Sequence, residues 1–440
     1  MTLNRVVGLV CVATVVCASA VRAENWPNWR GPNYDGSTSE TNLPDTLNLD
    51  KNLAWKVAAP GRGGATPIIW GDKVFISSAD DATKELYAVC YNRKDGAVLW
   101  KQKLSSNDTA NGRNNSASPS PVTDGSSVYF LYGNGDLAGL DMDGKILWQK
   151  NIVKDYGTFS IQWGYGNSPL LFKGKLYITV LRRDKWKGAE GTLESFLLAL
   201  SPKDGSVIWK HVRPTDAVAE TQESYATPMP VEVNGKTQLL INDGEYMTGH
   251  DPETGTELWR FGSYTPTKNP DRRMVVSPIA GAGHFYCTAA KTASPIYGVK
   301  LDGLANTVKT SAAAWTIDEK NSQPDCTTPL FYNNNLFVMS DKMSALMKIE
   351  PKTGKKIWSG SLLEKGKGVF RASPTGGDGK VYLVRVTGEA YVFSAGDEYK
   401  VLSELALGEG SENIGCVSSV AISGGNVFVR TPKHLYCFKK

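Results

Sequence analysis

The stretch from Gly135 to Lys150 reads GDLAGLDMDGKILWQK, and close copies of it recur along the chain with a tryptophan at the same place. Similarity at a fixed period outranks other sequence signals, because each copy marks one supersecondary unit. The copies end at Trp100, Trp148, Trp209, Trp259 and Trp358, with a looser copy at Trp315 and an incomplete one at Trp55. The sequence therefore predicts a repeat protein of eight units.

A second mark, a small residue followed by proline, keeps the same period of about fifty residues. The prolines are Pro67, Pro119, Pro169, Pro228, Pro278, Pro329 and Pro374, with Val420 in the corresponding place at the end. Runs of β-branched and aromatic residues between the marks predict four short strands per unit. Four strands repeated radially predict an all-β fold, an eight-bladed β-propeller with four-stranded antiparallel blades.

The two ends of the chain fit one blade between them. The segment from Leu53 to Val57 resembles the outer strand of a blade that lacks its other three, and the last unit, from Cys416 to Lys440, supplies three strands and stops. We expect strand 53–57 to complete the C-terminal blade, which leaves no open sheet edge at that junction. The predicted domains are a signal peptide at 1–23, a strap at 24–52 and the propeller at 53–440.

The first 23 residues have the pattern of a secretory signal peptide. Arg5 precedes an apolar run from Val6 to Val21, and Ala23 precedes the polar Glu24. Cys17 does not follow a small residue, so we do not expect lipidation. The sequence predicts cleavage near Ala23 and export to the periplasm or the cell exterior, with no transmembrane segment in the mature chain.

Charge and cysteine content narrow the class of partner. Loss of Arg5 and Arg22 with the signal lowers the net charge from +5 to +3, and the remaining lysines and arginines are scattered, so we expect no nucleic-acid partner.

Five cysteines remain, an odd number without CxxC spacing, which does not indicate a disulfide framework. Cys326 and Cys416 precede the first strands of blades 6 and 8, and we expect both at one end of the channel, too far apart to bridge. We expect a monomer.

The segment WPNWRGP from Trp26 to Pro32, together with the Asp-x-x-Thr-Gly-Lys-x-x-Trp type of repeat, resembles the exported PQQ-like propeller proteins abundant in planctomycetes and their relatives. The resemblance covers essentially the whole mature chain. The repeat is shared with pyrroloquinoline quinone (PQQ) dehydrogenases and with the propeller lipoprotein of the outer-membrane barrel-assembly machinery, so it marks architecture rather than chemistry. In that architecture the tryptophans dock between neighbouring blades. This structural role falls to Trp55, Trp100, Trp148, Trp209, Trp259 and Trp358.

Ligand-binding residues are expected on the loops before each Ser/Thr-Pro strand, here called the mouth loops, because these loops gather around the channel while the strands form a scaffold. The candidates are Arg62, Arg113, Trp163, Asn167, Glu223, Arg272, Asp325 and Arg371. Four blades contribute arginine, and the planar guanidinium group suits carboxylates. The alternative is that charges of both signs only solvate a wet rim and pair with each other.

Two loops exceed the mean length, Leu181–Glu194 with Trp186 and Gly262–Val275 with Arg272 and Arg273. Long loops are enriched in recognition. Trp26 and Trp29, at the start of the strap, are expected to plug one face of the ring.

The resemblance implies that a quinone with three carboxylates could occupy the funnel, with Trp163 below its ring and calcium bound by Asn167, Glu223 and Asp325. The chain has no Cys-Cys pair, and no catalytic residue can be assigned. The leading expectation is a non-catalytic binding or scaffolding module, with a protein or small-molecule ligand at the channel mouth. The alternatives are a PQQ- and calcium-dependent quinoprotein dehydrogenase that oxidises an alcohol, polymeric alcohols included, and a carbohydrate- or peptide-capturing funnel.

Overall fold

The computed structural model describes residues 24–108, 114–185, 191–265, 267–288, 295–320, 322–341, 343–362, 369–411, 413 and 415–440. Within these ranges the chain forms eight sheets, one for each sequence unit, and each contains four antiparallel strands. The first strands of blades 8, 1, 2 and 3 contact one another in turn, as do those of blades 5, 6 and 7, and the first strands surround the central channel. The fold is the eight-bladed propeller that the repeat predicted.

Each blade runs outward from the channel through an inner, a second, a third and an outer strand. The inner strands are Ile68–Trp70, Val122–Thr123, Leu170–Phe172, Met229–Val233, Ile279–Gly281, Leu330–Tyr332, Thr375–Gly377 and Ala421–Ser423. The second strands are Lys73–Ala79, Ser127–Leu131, Lys175–Val180, Lys236–Asp243, His284–Cys287, Asn335–Ser340, Lys380–Val384 and Asn426–Arg430. The third strands are Leu86–Asn92, Asp136–Asp141, Phe196–Leu200, Tyr246–His250, Ile296–Lys300, Ala345–Ile349, Glu389–Ser394 and His434–Lys439. The outer strands are Val98–Ser105, Ile146–Asn151, Val207–Val212, Glu257–Gly262, Trp315–Ile317, Lys356–Ser361, Val401–Ala406 and, in blade 8, Leu53–Ala58.

Blade 8 contains the first and the last strand of the described chain. Its outer strand, Leu53–Ala58, lies antiparallel to the last strand, His434–Lys439, with Lys56 opposite Tyr436 and Ala58 opposite His434. The N-terminal strand is therefore hydrogen-bonded to the C-terminal one.

Blade 4 and the connections depart slightly from this plan. A fifth strand, Asn306–Val308, pairs in parallel with the outer strand of blade 4. The described helical segments are one α-helical turn, Ile152–Tyr156, and two 3₁₀ turns, Ala219–Gln222 and Thr310–Ala312. None of them has the length or apolar character needed to cross a bilayer.

The repeat tryptophans lie between neighbouring blades. Five of them donate an indole N–H to a backbone oxygen of the following blade at 2.8–3.1 Å: Trp55, Trp100, Trp148, Trp315 and Trp358. Trp259 instead donates to Gln238 of its own blade, and the buried indole nitrogen of Trp209 has no partner.

The turn glycine of the next repeat lies against five of these rings, those of Trp55, Trp100, Trp148, Trp209 and Trp315. In blade 2, Gly144 has φ +88°, and a Cβ atom built on it would lie 2.7 Å from the Trp100 ring. A side chain at this position would therefore strain the turn and clash with the indole. The repeat keeps glycine and tryptophan together because the two pack on each other across the blade interface.

Candidate ligand-binding site

Eight hydroxyl residues, here called the hydroxyl belt, form a closed hydrogen-bonded ring around the channel just before the inner strands. Each backbone N–H donates to the side-chain oxygen of the next member, at 2.9–3.2 Å. The members, in order, are Thr66, Ser120, Ser168, Thr227, Ser277, Thr328, Ser373 and Ser419. The belt corrects the phasing predicted for blade 2, because Ser120 and Pro121, rather than Ser118 and Pro119, hold the shared position.

The N-terminal strap, residues 24–52, crosses one end of the channel. Trp26 is fully buried and makes two backbone hydrogen bonds to the inner strand of blade 1. The buried guanidinium of Arg30 donates to the backbone oxygens of Pro329 and Pro374, at 3.0 and 3.1 Å, immediately after the belt in blades 6 and 7. Trp29 is half-buried and faces the channel interior. The strap therefore forms a floor on the side of the belt away from the mouth loops.

A cavity of about 170 Å³ occupies the channel above this floor. Its aromatic walls are Trp29, Trp163 and Tyr225, and its charged residues are Arg273 and Arg371. No carboxylate belongs to the lining formed by the described residues. The cavity lining thus carries two guanidinium groups and is partly aromatic.

Arg273 is held in place by two acidic side chains and an indole. Its Nη1 donates to Glu220 Oε1 at 3.1 Å, and its Nη2 lies 3.5 Å from Asp325 Oδ2. The guanidinium lies 5.9 Å from the centre of the Trp163 ring, within the range of a cation–π contact. Because the Trp163 indole also donates to Glu220 Oε1, at 3.1 Å, one carboxylate positions both cavity residues.

Arg371 has fewer acidic partners than Arg273. Among the described residues it forms no ion pair, although it lies near the buried carboxyl group of Asp341, where it opposes the rise in that group's pKa. Burial raises the pKa of Asp341 to about 7, despite the backbone N–H groups of Asp325 and Cys326 that donate to its Oδ2. Because Asp341 does not carry a full negative charge at neutral pH, the charge of Arg371 is only partly compensated.

Cys326 is the only cysteine of the described residues that lines the cavity. Burial raises the pKa of its thiol well above the ordinary value, so the group is protonated at neutral pH. Cys416 is buried in the hydrophobic core of blade 8, which corrects the expectation that both face the channel end. All five cysteines in the described part of the chain are free.

Glu223 and Asn167 lie behind the cavity wall. One Glu223 oxygen accepts the Tyr225 hydroxyl at 2.8 Å, and the other pairs with Arg183. Burial raises the pKa of Glu223, while Arg183 and Tyr225 lower it. The Asn167 amide nitrogen donates to Thr179 and to two backbone oxygens of the blade 4 mouth loop. Both side chains thus fasten blade 3 to blade 4.

The two long loops contribute unequally. The base of Leu181–Glu194 is fixed by Arg182, which donates to four backbone oxygens, and by Arg183, which reaches the mouth at Glu223. Trp186 lies outside the described residues. The second loop supplies Arg273 to the cavity.

The structure places the sequence candidates in three groups. Trp163 and Arg371 line the cavity, and Asp325 contacts Arg273 from behind. Arg62 pairs with Asp81 beside a separate cavity of about 20 Å³. The lining residue of blade 5 is Arg273 and not the predicted Arg272, and Arg113 lies outside the described residues.

The three residues suggested for calcium do not share a hydrogen-bond partner. Glu223 and Asp325 are each paired with an arginine, and the Asn167 amide nitrogen is committed to protein oxygens. No set of three His, Cys, Asp or Glu side chains suited to a metal occurs in the described ranges.

Several site residues were missed because their signal is not local. The sequence could not decide whether Arg272 or Arg273 faces the cavity, because adjacent residues of an extended segment face opposite sides. The side that each faces is set by the pairing of Met274 with Ser224. Glu220 and Asp341 act from behind the cavity wall, through Arg273 and through the Cys326 backbone. No sequence motif marks either carboxylate.

The family model described as "Outer membrane protein assembly factor BamB" matches residues 47–182 and 250–438. A solved structure of BamB from Moraxella catarrhalis superposes with a TM-score of 0.59 over 88% of this chain and 96% of that chain, at 11% identity. A europium-containing methanol dehydrogenase superposes with a TM-score of 0.70 over 95% of this chain and 98% of that chain, also at 11% identity. At such identities the structural likeness shows the fold alone.

One curated relative matches in sequence. The quinohemoprotein alcohol dehydrogenase ADH-IIG of Pseudomonas putida is 35% identical over 106 residues, which are 23% of this chain. The match spans only 12% of that relative's length. The matched part of the enzyme is too short to assign the enzyme's activity to this chain.

Proposed function

This chain belongs to the family described as outer membrane protein assembly factor BamB. Because a propeller fold does not by itself imply a chemistry, we propose that the chain is a non-catalytic binding protein. Its ligand is a small anion bearing carboxylate groups, which enters the central cavity from the mouth loops. The observation that carries the proposal is a cavity with two arginines and no carboxylate in its described lining.

The hydroxyl belt adds to this preference for an anion. Each belt oxygen accepts a backbone N–H and keeps its own proton for donation. None of these eight hydroxyls has an acceptor among the described residues. Five of them, Ser120, Ser168, Thr227, Ser373 and Ser419, line the cavity. The cavity therefore offers guanidinium and hydroxyl donors to a ligand that supplies oxygen acceptors.

The calcium-bound quinone of the dehydrogenases fits this site only in part. Arg273, Arg371 and the Trp163 ring suit the carboxylates and the flat ring of PQQ. The metal does not fit, because Glu223 and Asp325 are neutralised by arginines.

Export remains part of the proposal. Residues 1–23 have the pattern of a signal peptide, and a binding protein of this kind would meet its ligand in the periplasm or outside the cell. Mass spectrometry of the secreted or periplasmic protein would show whether the chain begins at Glu24.

Calorimetric titration with citrate, and with PQQ in the presence and absence of calcium, tests the binding proposal. We expect heat with at least one carboxylate, independent of calcium, and a loss of about tenfold or more in affinity for Arg371→Gln, since a charge-assisted hydrogen bond contributes about 1.5–3 kcal/mol. Arg93→Gln removes an arginine that pairs with Asp72 outside the cavity, and we expect it to bind as the wild type does. Absence of binding in all titrations would overturn the ligand proposal. Calcium-dependent binding of PQQ would instead favour the dehydrogenase.

A further inference from the structure

Glu24, the first described residue, is bound through its backbone nitrogen, its carbonyl oxygen and its side chain. The backbone N–H donates to Glu40 Oε1 at 2.7 Å, and the carbonyl oxygen accepts the Ser423 hydroxyl at 2.7 Å. The side-chain Oε2 accepts the Thr38 hydroxyl and, at 3.0 Å, the Ser39 N–H. The ends of a domain are poorly ordered unless they are tied down, so these contacts fix the chain where the strap begins.

Glu40 connects the beginning of the strap to blade 8. Besides the Glu24 N–H, its Oε1 accepts the Gly424 N–H at 2.7 Å, and its Oε2 accepts the Gly425 N–H at 2.8 Å. These two glycines form the turn between the inner and the second strand of blade 8. One half-buried carboxylate therefore fastens the start of the strap to the last blade.

Glu24 and Glu40 are neighbouring carboxylates that lack a cationic partner among the described residues. The donors to both are backbone N–H and hydroxyl groups. Arg93, which donates to the Ser423 hydroxyl at 3.2 Å, pairs with Asp72 instead. Neutral donors satisfy the hydrogen-bonding capacity of a carboxylate but leave its charge uncompensated, so a cation placed between these two side chains would bind favourably.

We propose that cleavage after Ala23 supplies this cation, because the α-ammonium group of Glu24 then forms an ion pair with Glu40. The inference rests on the proposed export of the protein, in which a signal peptidase removes residues 1–23. Hydrolysis of the Ala23–Glu24 peptide bond leaves the oxygen of water on Ala23 as a carboxylate and both protons of water on the Glu24 nitrogen. That nitrogen lies 2.7 Å from Glu40 Oε1, the distance of a charge-assisted hydrogen bond, and a free α-amino group is charged at neutral pH.

The ion pair strengthens the attachment of the strap, which forms the floor of the ligand cavity. Trp26, two residues after Glu24, exchanges two backbone hydrogen bonds with Ile69, at 2.8 and 2.9 Å, and Trp29 lines the cavity. A strap whose first residue is attached only by neutral hydrogen bonds opens more easily than one attached by a charge pair. The precursor therefore has a more weakly held floor than the processed protein.

Hydrogen exchange of a strap peptide that contains Trp26, read by mass spectrometry, measures how often the beginning of the strap opens. Two forms of the purified protein are compared, one that begins at Glu24 and one that begins at N-acetylated Ala23, in which the Glu24 nitrogen remains an uncharged amide. We expect exchange to be slower by about fivefold or more in the Glu24 form, because its nitrogen is charged and only partly screened by solvent. Equal exchange in the two forms would overturn the ion pair and would leave the ligand and export proposals untouched, since the measurement needs neither.

Glu40→Gln tests whether Glu40 is the partner of the new terminus. The variant keeps an acceptor at this place and removes its charge, so the difference between the two forms should fall below about twofold. Asp45→Asn is the matched control, because it removes an exposed carboxylate of the same strap, bonded to Thr46, and should leave the difference intact. A difference that persists in Glu40→Gln would assign the effect to the added residue and would overturn the proposal.

The first residue of the exported protein is the last check. A chain that begins at Glu24, shown by mass spectrometry, supports the proposal. A chain that begins at any other residue rejects it, because the ammonium group would then lie away from Glu40.

Discussion

Glu409 is predicted to fasten the seam between the two ends of the chain. Its Oε1 lies 3.1 Å from Lys56 Nζ, 2.7 Å from His434 Nδ1 and 2.7 Å from the Tyr436 hydroxyl. Its Oε2 accepts the Thr431 hydroxyl at 2.5 Å. Lys56 belongs to the N-terminal strand and His434 and Tyr436 to the strand paired with it. One carboxylate thus contacts both strands of the seam.

The size of the stabilisation by Glu409 follows from the pKa of its carboxyl group. Hydrogen bonds from Thr431, His434, Tyr436 and Lys56 outweigh burial and lower the pKa of Glu409 from 4.5 to about 2. A shift of this size corresponds to about 3 kcal/mol at full strength, and screening at the partly exposed Lys56 reduces it to about 1–2 kcal/mol. Because the pKa is lowered in the folded state, the stabilisation is present above pH 4.5 and is lost as the pH falls toward 2.

The perturbation is Glu409→Gln, which keeps the shape of the side chain and removes its charge. We expect the free energy of unfolding, measured by chemical denaturation at pH 7, to fall by about 1–2 kcal/mol. The difference from the wild type should shrink as the pH is lowered from 5 to 3. Glu398→Gln is the matched control, since Glu398 is exposed on the preceding turn.

Two results would refute this reasoning. Equal stability of the Glu409 and Glu398 variants at pH 7 would show that the seam does not depend on the carboxylate. A difference from the wild type that is the same at pH 3 and pH 7 would show that the loss comes from packing and not from charge.

Two further predictions concern blade packing and pH. Gly144→Ala should lower the free energy of unfolding by about 2 kcal/mol or more, because the new methyl group meets the Trp100 ring. Gly303→Ala is the control, since Gly303 has a similar φ of +76° but nothing within 4 Å, and it should cost only about 1 kcal/mol of backbone strain. Equal losses in denaturant titrations would contradict the packing of Gly144 against Trp100. Desolvation lowers the pKa of the buried His250 imidazole to about 4, so its neutral form stabilises the fold above pH 6.5, and this contribution is lost as the pH falls through 6.5 toward 4. His250→Gln should therefore flatten the curve of unfolding free energy against pH between 6.5 and 4. An unchanged curve would show that the imidazole does not cause the loss of stability.

Much of the fold was predictable because its determinants are local and repeated. The tryptophan and the turn glycine stand at fixed spacing within each unit, so Trp100 and Gly144 identify one blade interface from sequence alone. The Ser-Pro mark of blade 2 was predicted two residues too early, at Pro119, because the segment SASPSP offers two Ser-Pro pairs. Only the hydrogen bonds of the belt select Ser120.

The site was predictable only in outline. The mouth loops follow from the architecture, and two of the predicted residues, Trp163 and Arg371, line the cavity. The cavity nevertheless joins residues as distant in sequence as Trp29 and Arg371, and no local pattern relates them. Which of Arg272 and Arg273 turns inward depends on the pairing of a loop with the neighbouring blade, and that information is tertiary.

The hydroxyl belt has an electrostatic consequence for the channel. Its eight N–H···O dipoles all point in one rotational sense around the axis, and tangential dipoles of similar size on a closed circle sum to nearly zero. The belt therefore adds rigidity without an axial field, unlike a helix, whose peptide dipoles add along one direction. The charge preference on the axis then depends on Arg371 and on Arg273 with its partners Glu220 and Asp325, and these side chains can be replaced while the ring stays intact.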